Sequence, residues 1–280
     1  MNKKIAFIGA GNMALSLING LTASGYHKDN IIATDPKKEQ RDNLTQSIGI
    51  KCFASNADAV NQADIVVLAV KPQILNSVCN EIKNAIEKTQ PLIISIAAAI
   101  RSTDINNWLG GKTSIVRCMP NTPSMIQAGA TALFATKLVS DEQKSDAENI
   151  LRAVGISVWV DSDEDLDSVT ALSGSGPAYY FLFMEAMQAT AEQMGLSPSA
   201  AKLLTIQTAF GAAKMALESP YDCVTLRKNV TSPNGTTEKA IQSFEDNNLR
   251  KIVEQAMLSA KNRAISLADE LSIPTKIETK

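Results

Sequence analysis

The stretch from Ile5 to Ala14, I-A-F-I-G-A-G-N-M-A, decides the fold of the first half of the chain. Four apolar residues run directly into Gly9 and Gly11, the G-x-G-x-x-G/A pattern that opens a nucleotide-binding βαβ unit. Gly9 would permit a tight turn, and Gly11 would let the backbone approach a pyrophosphate. Ala14 is small enough for close helix–strand packing, and the helix N-terminus would offer N–H groups to phosphates. The stretch therefore predicts a dinucleotide site.

Composition places the chain among soluble globular proteins. It has 280 residues, 45% of them hydrophobic and 20% charged, with a formal net charge of −2. That length suffices for two domains. No basic excess indicates nucleic acid as a partner, and no long apolar run indicates a membrane. The four cysteines form no C-x-x-C pair, and the first apolar stretch is too short for a signal peptide, so we expect a cytoplasmic protein.

A single histidine, His27, excludes several kinds of catalytic site. A Ser-His-Asp triad, an H-E-x-x-H zinc site and a two-histidine iron site would each need histidine elsewhere. We expect His27 to be a solvated loop residue, and we expect no metal site. A reaction in which an organic cofactor carries the difficult step fits better.

Residues 1–162 alternate between strand and helix patterns, which predicts an α/β domain of the Rossmann type with a parallel sheet. The predicted strands are Lys4–Ile8, Ile31–Thr34, Asp64–Val70, Leu92–Ala97 and Ser114–Cys118, with weaker signals at Ala130–Phe134 and Ile156–Val160. The predicted helices are Asn12–Ser24, Lys38–Ser47, Gln73–Lys88 and one that begins at Ser140, where Ser140 and Gln143 have capping-box spacing.

The pattern changes at the acidic run D-S-D-E-D, residues 161–165. We interpret this run as a solvated hinge, because it lacks the glycine and glutamate of a calcium loop. Residues 163–280 are predicted to form an all-helical domain. Its helices would run from Pro177 to about Met194 and from Ser197 to about Ser219, with two more separated by residues 231–235. The stretch A-L-S-G-S-G-P at residues 171–177 predicts a tight turn.

The helix over Ala178–Met194 carries apolar side chains on nearly every face. A two-domain monomer of this size offers few places to bury all of them. We interpret the helix as a subunit interface; the alternative is a central core helix.

Three loops would lie at the carboxyl ends of strands, where a doubly wound sheet binds its ligands. They are V-K-P-Q at 70–73, S-I-A-A-A at 95–99 and C-M-P-N-T-P at 118–123. The small alanines at 97–99 would let a flat nicotinamide ring approach the backbone. Each loop taken singly is also compatible with an ordinary turn.

The choice between NAD and NADP stays open from the residues alone. Asp35 closes the second strand, where an acidic residue binds the ribose hydroxyls and favours NAD. Lys37, Lys38 and Arg41 follow at once and could pair with a 2′-phosphate. An exposed helix start would carry the same residue types.

The segment T-S-P-N-G-T-T-E, residues 231–238, is the second dense cluster of polar groups. It precedes a helix whose first N–H groups lack partners. A carboxylate could be bound there by those N–H groups and by the hydroxyls of Ser232 and Thr237. A well-capped helix start is an equally good interpretation of the spacing.

Taken together, these motifs resemble the pyrroline-5-carboxylate reductase family over the whole chain. The resemblance rests on I-A-F-I-G-A-G-N-M-A, A-V-K-P-Q, S-I-A-A-A, R-C-M-P-N-T-P, L-S-G-S-G-P-A-Y and, most specifically, V-T-S-P-N-G-T-T. Asn234 stands where many members have glycine. The resemblance implies a Rossmann domain followed by a helical dimerisation domain, dimers that often assemble into decamers, and NADP(H) more often than NAD(H).

The resemblance also implies roles for individual residues. The nucleotide would bind at Gly9, Gly11, Asn12, Met13, Asp35, Lys37, Asn56, Val70, Lys71, Ala97 and Pro120. The substrate carboxylate would lie against Ser232, Gly235, Thr236 and Thr237. The Thr237 hydroxyl would bond the ring nitrogen as the catalytic contact, while hydride passes from the nicotinamide to the imine carbon. A cyclic imine gains a proton easily, so positioning two rings face to face would supply most of the catalysis.

Two alternatives belong to other functional classes. A β-hydroxyacid dehydrogenase shares the two-domain plan but needs a catalytic lysine early in the helical domain, and Ala178–Met194 contains none. A nucleotide-sensing protein would bind NAD(P) without turnover, and only the polar cluster at 231–237 speaks against it.

Overall fold

The computed structural model describes residues 3–272, and the chain divides there into two compact units. The first unit comprises residues 3–175 and 260–272, and the second comprises residues 176–259. Residues 273–280, the end of the predicted helical domain, lie outside the described residues.

The first unit is built on an eight-stranded sheet with the order β3-β2-β1-β4-β5-β6-β7-β8. Its strands are β1 (Ile5–Ile8), β2 (Ile31–Thr34), β3 (Lys51–Phe53), β4 (Ile65–Leu68), β5 (Leu92–Ser95), β6 (Ile115–Met119), β7 (Gly129–Ala135) and β8 (Gly155–Trp159). Every predicted strand is confirmed to within a few residues. The pairing is parallel except between β6 and β7, which are antiparallel. The sheet is therefore mixed rather than wholly parallel.

β3 is the strand that the sequence pattern misses. It has only three residues, lies at the edge of the sheet and begins with the exposed Lys51. β1, β2, β4 and β5 are buried at every position, as expected for strands covered on both faces. A continuous apolar run marks such strands in the sequence, and a short edge strand has no such mark.

Helices cover both faces of this sheet. They are α1 (Asn12–Ala23), α2 (Lys38–Ser47), α3 (Asn56–Val60), α4 (Pro72–Thr89), α5 (Ser102–Trp108), α6 (Asp141–Arg152) and α7 (Asp165–Val169). Alternate residues of β1 belong to different apolar clusters, with Ile5 and Phe7 in one and Ala6 and Ile8 in the other. The short helices α3, α5 and α7 carry too few residues for a periodic signal and are not predicted.

The predicted capping box at the start of α6 is confirmed. The Gln143 N–H donates to Ser140 Oγ at 3.2 Å, and the Ser140 N–H donates to Gln143 Oε1 at 3.0 Å. α1 ends at Ala23, and Gly25 follows with φ +90°. Local capping signals therefore locate these helix ends correctly.

The interpretation of residues 161–165 as a solvated hinge is wrong for Asp163. Asp163 is 7% exposed, and its Oδ1 lies 2.7 Å from Nη1 of the buried Arg117. Its Oδ2 accepts hydrogen bonds from the Ser102 N–H at 2.8 Å and the Ser102 hydroxyl at 2.9 Å. Both partners lie far away in the sequence, so composition alone makes the run look solvated.

The predicted tight turn at residues 171–177 is also wrong. The chain stays helical there and passes through one π-helical turn, Thr170–Gly174, before the next helix. The Asn121 side chain donates to the Ser173 carbonyl at 3.1 Å. This contact joins the π turn to the loop that follows β6.

The second unit is helical. It contains α8 (Gly176–Gln193), α9 (Pro198–Glu218), α10 (Cys223–Asn229) and α11 (Thr236–Asp246), and α12 (Leu249–Ser272) begins there. Three helices rather than the predicted two follow α9, because the last predicted helix is interrupted between α11 and α12. Asn248 has φ +58° at this break, a left-handed conformation that asparagine adopts more readily than most residues.

α8 exposes most of its large apolar side chains. Tyr180 is 69% exposed, Phe181 63% and Leu182 67%. A core helix would bury them, so that alternative is wrong for the single chain. None of the helices described here is both long enough and apolar enough to cross a membrane.

Candidate active site

The glycine loop after β1 leaves no room for a side chain at its first position. Gly9 has φ +96°, and a Cβ there would lie 2.8 Å from Val70 Cγ1 and 2.9 Å from the Ala69 carbonyl oxygen. The Gly9 N–H donates to the Thr34 carbonyl at 3.2 Å. Both the backbone conformation and the close approach of the segment that follows β4 therefore require glycine.

The N-terminus of α1 is open. Gly11 is its N-cap residue, no side chain caps it, and its first turn contains no acidic residue. A Cβ on Gly11 would meet no atom within 4 Å. The first N–H groups of the helix, those of Asn12 and Met13, have no intrahelical acceptor and can bind an anion. These residues fit the pyrophosphate of a dinucleotide.

The predicted nucleotide residues lie at one edge of the sheet. Asp35 follows β2, Asn56 begins α3 just after β3, Val70 and Lys71 follow β4, Ala97 follows β5, and Pro120 follows β6. These strands are neighbours and mutually parallel. Their carboxyl ends therefore form one continuous rim, the place where open α/β sheets bind ligands.

The loop after β2 has a defined set of hydrogen bonds. Asp35 Oδ1 accepts from the Lys37 N–H at 2.8 Å, and Arg41 Nη1 donates to the carbonyls of Asp35 and Pro36 at 2.7 and 3.0 Å. Lys38 is paired with Asp42 at 2.7 Å. The Lys37 side chain is exposed and has no ion-pair partner within residues 3–272. Among the described residues, the Lys37 ammonium group makes neither a hydrogen bond nor an ion pair, whereas Lys38 is ion-paired and Arg41 donates to two carbonyls.

At the other end of the rim, the alanine segment is tightly packed. Ala97 is 4% exposed, and its N–H donates to Ser95 Oγ at 3.4 Å. Ala99 is 6% exposed and has φ +57°. Pro120 is buried in the adjacent loop. Contact between this segment and a nicotinamide ring stays a prediction.

The sequence does not single out Thr34, although it connects two predicted site residues. Its hydroxyl donates to Asn56 Oδ1 at 2.6 Å, and the same oxygen accepts from the Gly9 N–H at 3.3 Å. Thr34 is the last residue of a buried strand, where threonine is ordinary. No local signal distinguishes this role.

In the second unit, the predicted substrate residues surround the N-terminus of α11. Gly235 is its N-cap residue and carries no side chain to occupy the first N–H groups, those of Thr236 and Thr237. The Thr231 hydroxyl is used internally, donating to the Arg227 carbonyl at 2.6 Å. The hydroxyls of Ser232, Thr236 and Thr237, by contrast, make no hydrogen bond to any described residue.

Two residues shape the turn before α11. The Gly235 N–H donates to the Ser232 carbonyl at 3.0 Å, and a Cβ on Gly235 would lie 3.0 Å from that oxygen. Asn234 has φ +58°, which explains why glycine suits this position and why asparagine replaces it with little strain. The Asn234 N–H donates to Glu238 Oε2 at 2.8 Å, which ties up that carboxylate.

The other reactive side chains considered are one histidine on an exposed loop and two cysteines buried in the apolar clusters of the first unit. His27 is an exposed loop residue with Nδ1 3.4 Å from Asp29 Oδ2, as predicted. Burial raises the pKa of the Cys79 thiol to about 12 and also raises the pKa of Cys118, so both thiols stay protonated. Within residues 3–272, no group of three or more His, Cys, Asp and Glu side chains could hold a metal ion.

Two family models match parts of the chain, and curated relatives match nearly all of it. The model described as pyrroline-5-carboxylate reductase dimerisation matches residues 163–267, and the model described as NADP oxidoreductase, coenzyme F420-dependent, matches residues 4–99. The pyrroline-5-carboxylate reductase of Pseudomonas aeruginosa is 50% identical over 96% of this chain and 98% of its own length. Pyrroline-5-carboxylate reductase 1 of Bacillus subtilis is 36% identical over 96% and 91%.

Solved structures agree with these relatives. The pyrroline-5-carboxylate reductase of Coxiella burnetii superimposes with a TM-score of 0.92 at 47% identity, over 95% of this chain and 99% of its own. The pyrroline carboxylate reductase of Plasmodium falciparum, solved with NADP bound, gives a TM-score of 0.84 at 31% identity, over 95% and 98%.

Proposed function

Since the chain belongs to the pyrroline-5-carboxylate reductase family, we propose that each of its two units binds one reactant. The first unit would bind the nicotinamide nucleotide along the carboxyl rim of the sheet. The second would bind the carboxylate of the substrate at the N-terminus of α11. The activity is reduction of the C=N bond of 1-pyrroline-5-carboxylate by NAD(P)H, which gives proline.

The open N-terminus of α1 is the observation that carries the nucleotide half of the proposal. Gly9, Gly11, Asn12 and Met13 would hold the pyrophosphate through backbone N–H groups. The remaining groove residues would be Asp35, Lys37, Asn56, Val70, Lys71, Ala97 and Pro120. When bound, the nicotinamide supplies the hydride. The packed alanine backbone would fix the plane of that ring at the rim and exclude water from one of its faces.

The substrate half rests on the unpaired hydroxyls near α11. The N–H groups of Thr236 and Thr237 and the Ser232 hydroxyl would bind the substrate carboxylate, and Gly235 would leave space for it. The Thr237 hydroxyl would hydrogen-bond the ring nitrogen. Because an imine nitrogen is readily protonated, this contact has to orient the ring rather than act as a strong acid. That requirement fits a site with no histidine.

NADP(H) is the proposed cofactor in preference to NAD(H). Lys37 is exposed and unpaired beside Asp35, so its ammonium group is available to a 2′-phosphate. The Asp35 carboxylate is partly satisfied by the Lys37 N–H at 2.8 Å, which reduces its repulsion of a nearby phosphate. The NADP bound to the Plasmodium falciparum relative supports the same choice.

The oligomeric state is proposed to be a homodimer through the helical domain, and a decamer of such dimers is the larger assembly proposed. The exposed apolar face of α8 supports the dimer. We propose that the nucleotide-binding domain ends at residue 162 and that the helical domain begins at residue 163. The dimerisation family model, which starts at residue 163, supports this boundary. A cytoplasmic location is likewise proposed, in keeping with four free cysteines.

Initial rates test the proposal directly. Oxidation of NADPH and of NADH with pyrroline-5-carboxylate is followed by the loss of absorbance of the reduced nicotinamide, and a 3-hydroxy acid with NADP⁺ is the comparison. We expect reduction of the imine with a higher kcat/KM for NADPH and no oxidation of the hydroxy acid. Turnover of the hydroxy acid alone would support the dehydrogenase alternative, and binding without turnover would support the sensor.

A further inference from the structure

The side-chain amide of Asn56 is held at both ends. Its Oδ1 accepts a hydrogen bond from the Thr34 hydroxyl at 2.6 Å, and its Nδ2 donates to Glu81 Oε2 at 3.1 Å. Thr34 is 1% exposed at the end of β2, whereas Glu81 is an exposed residue of α4. The amide thus connects a buried strand end to a carboxylate on the surface.

Among the described residues, Glu81 decides which way this amide points. The Thr34 hydroxyl can donate to an oxygen or accept from an N–H, so it tolerates either orientation of Asn56. A carboxylate only accepts, so the atom of Asn56 that faces Glu81 has to be Nδ2. In the reversed orientation, two acceptor oxygens would face each other and both would lose a hydrogen bond.

The orientation of the Asn56 amide also determines the hydrogen bonds of Thr34, which contacts the glycine loop. With Asn56 Oδ1 facing Thr34, the hydroxyl proton of Thr34 is donated to it, since the competing Phe7 carbonyl lies 3.5 Å away. Thr34 Oγ1 is then left to accept from the Gly9 N–H at 3.3 Å. The hydrogen bonds are thus all donated toward Glu81: the Gly9 N–H, shared with the Thr34 carbonyl at 3.2 Å, donates to the Thr34 hydroxyl, which donates to Asn56, which donates to Glu81. Successive hydrogen bonds of this kind strengthen each other.

We infer that Glu81 is a positioning residue for nucleotide binding, acting through Asn56. It holds one Nδ2–H of Asn56 and leaves the second as a donor for an acceptor oxygen of the nucleotide. It also fixes the hydrogen-bond direction at Thr34, beside the loop that would bind the pyrophosphate. The inference rests on the proposed place of Asn56 in the nucleotide groove, and Glu81 itself need not touch the ligand.

The test compares Glu81→Ala, Glu81→Gln and a control, Glu87→Ala, an exposed carboxylate later on the same helix. NADPH affinity is measured by fluorescence titration, and KM and kcat are measured with pyrroline-5-carboxylate. Glu81→Ala should raise the Kd and KM for NADPH about fivefold to tenfold and leave kcat within about twofold. Glu81→Gln should restore the affinity, because its amide oxygen can accept from Asn56. The control should match the wild type.

A double-mutant cycle with Asn56→Ala tests whether Glu81 acts through Asn56. If Glu81 acts through Asn56, the double variant should bind NADPH as weakly as Asn56→Ala alone. Additive losses of affinity in the double variant would overturn the inference. So would a normal NADPH affinity of Glu81→Ala when Asn56→Ala alone binds NADPH weakly. A normal NADPH affinity of Asn56→Ala would show that Asn56 does not bind the nucleotide, and this would overturn the inference. The proposed reductase activity is measured separately on the wild type and would still stand.

Discussion

Arg117 Nη1 lies 2.7 Å from Asp163 Oδ1 in the interior of the first unit, and both side chains are at least nine-tenths buried. Asp163 also bonds the backbone N–H and the hydroxyl of Ser102. Ser102 begins α5, shortly after the alanine segment that follows β5. The ion pair therefore attaches β6 to Asp163, and the two hydrogen bonds attach the start of α5 to the same carboxylate.

Replacing Asp163 should destabilise the first unit strongly. Asp163→Ala leaves the Arg117 charge buried without a partner, so we expect a loss of about 3 to 5 kcal/mol in the free energy of unfolding. Asp163→Asn keeps an acceptor for Ser102 and should cost less. Urea unfolding followed by circular dichroism measures both. Glu164→Ala, at an exposed position with no side-chain cap role, is the control and should change stability by no more than about 0.5 kcal/mol. An equal effect of Asp163→Ala and the control would contradict this role.

Gly11→Asp should separate stability from nucleotide binding. Gly11 has φ −74° and free space around its Cβ position, so a side chain fits. A carboxylate there would cap α1 and stabilise the fold by about 0.5 to 2 kcal/mol, but it would occupy and repel the phosphate position. We expect a higher Tm and NADPH affinity reduced on the order of a hundredfold or more. Gly11→Ala, which adds no charge, is the matched control. Retained NADPH binding by Gly11→Asp would show that phosphates bind elsewhere.

Lys37 should set the preference between the two nucleotides. Lys37→Ala removes the free ammonium group beside Asp35, so the KM for NADPH should rise about tenfold while the KM for NADH stays unchanged. Steady-state kinetics with each nucleotide give the ratio. Lys38→Ala serves as the control, because Lys38 is already paired with Asp42. A parallel rise in both KM values would mean that Lys37 does not bind the 2′-phosphate.

The exposed face of α8 should hold the oligomer together. Leu182 is 67% exposed in the single chain, and Leu182→Glu would place a charge in the proposed dimer contact. Light scattering should show a dimer or larger assembly for the wild type at micromolar concentration and a smaller species for this variant. Leu138→Glu, a similarly exposed leucine in the first unit at 58%, is the control. A wild-type mass for Leu182→Glu would exclude this face from the contact.

The sequence predicts those parts of the fold that have local signals. The glycine loop, the buried strands and the capping box at Ser140 each depend on residues within one turn or one strand of each other. The burial of Asp163 depends on Arg117, and the orientation of Asn56 depends on Glu81, both distant in the chain. Such pairs leave no periodic pattern, so polar residues in them look like ordinary surface residues until the topology brings them together.

The candidate site shows the same division. The helix start at Gly235 could be predicted, because glycines and hydroxyls at fixed offsets mark helix N-termini. The loops after β4, β5 and β6 could be predicted because they follow apolar strands, whereas Asn56, which follows the unpredicted β3, is given only by the family resemblance. Thr34 could not, since threonine at the end of a strand is ordinary. The helix break at Asn248 also leaves no signal in the sequence, because a single left-handed residue interrupts an otherwise continuous helical pattern without a glycine or proline.

The central claim, that the second unit handles the imine while the first handles the nucleotide, is tested most directly at Thr237. The measurement is kcat/KM for pyrroline-5-carboxylate together with the Kd for NADPH in Thr237→Ala, with Thr237→Ser as the matched variant that keeps the hydroxyl. We predict that Thr237→Ala lowers kcat/KM on the order of tenfold to a hundredfold with an unchanged Kd for NADPH, and that Thr237→Ser recovers most of the loss. Unchanged turnover by Thr237→Ala would contradict the account.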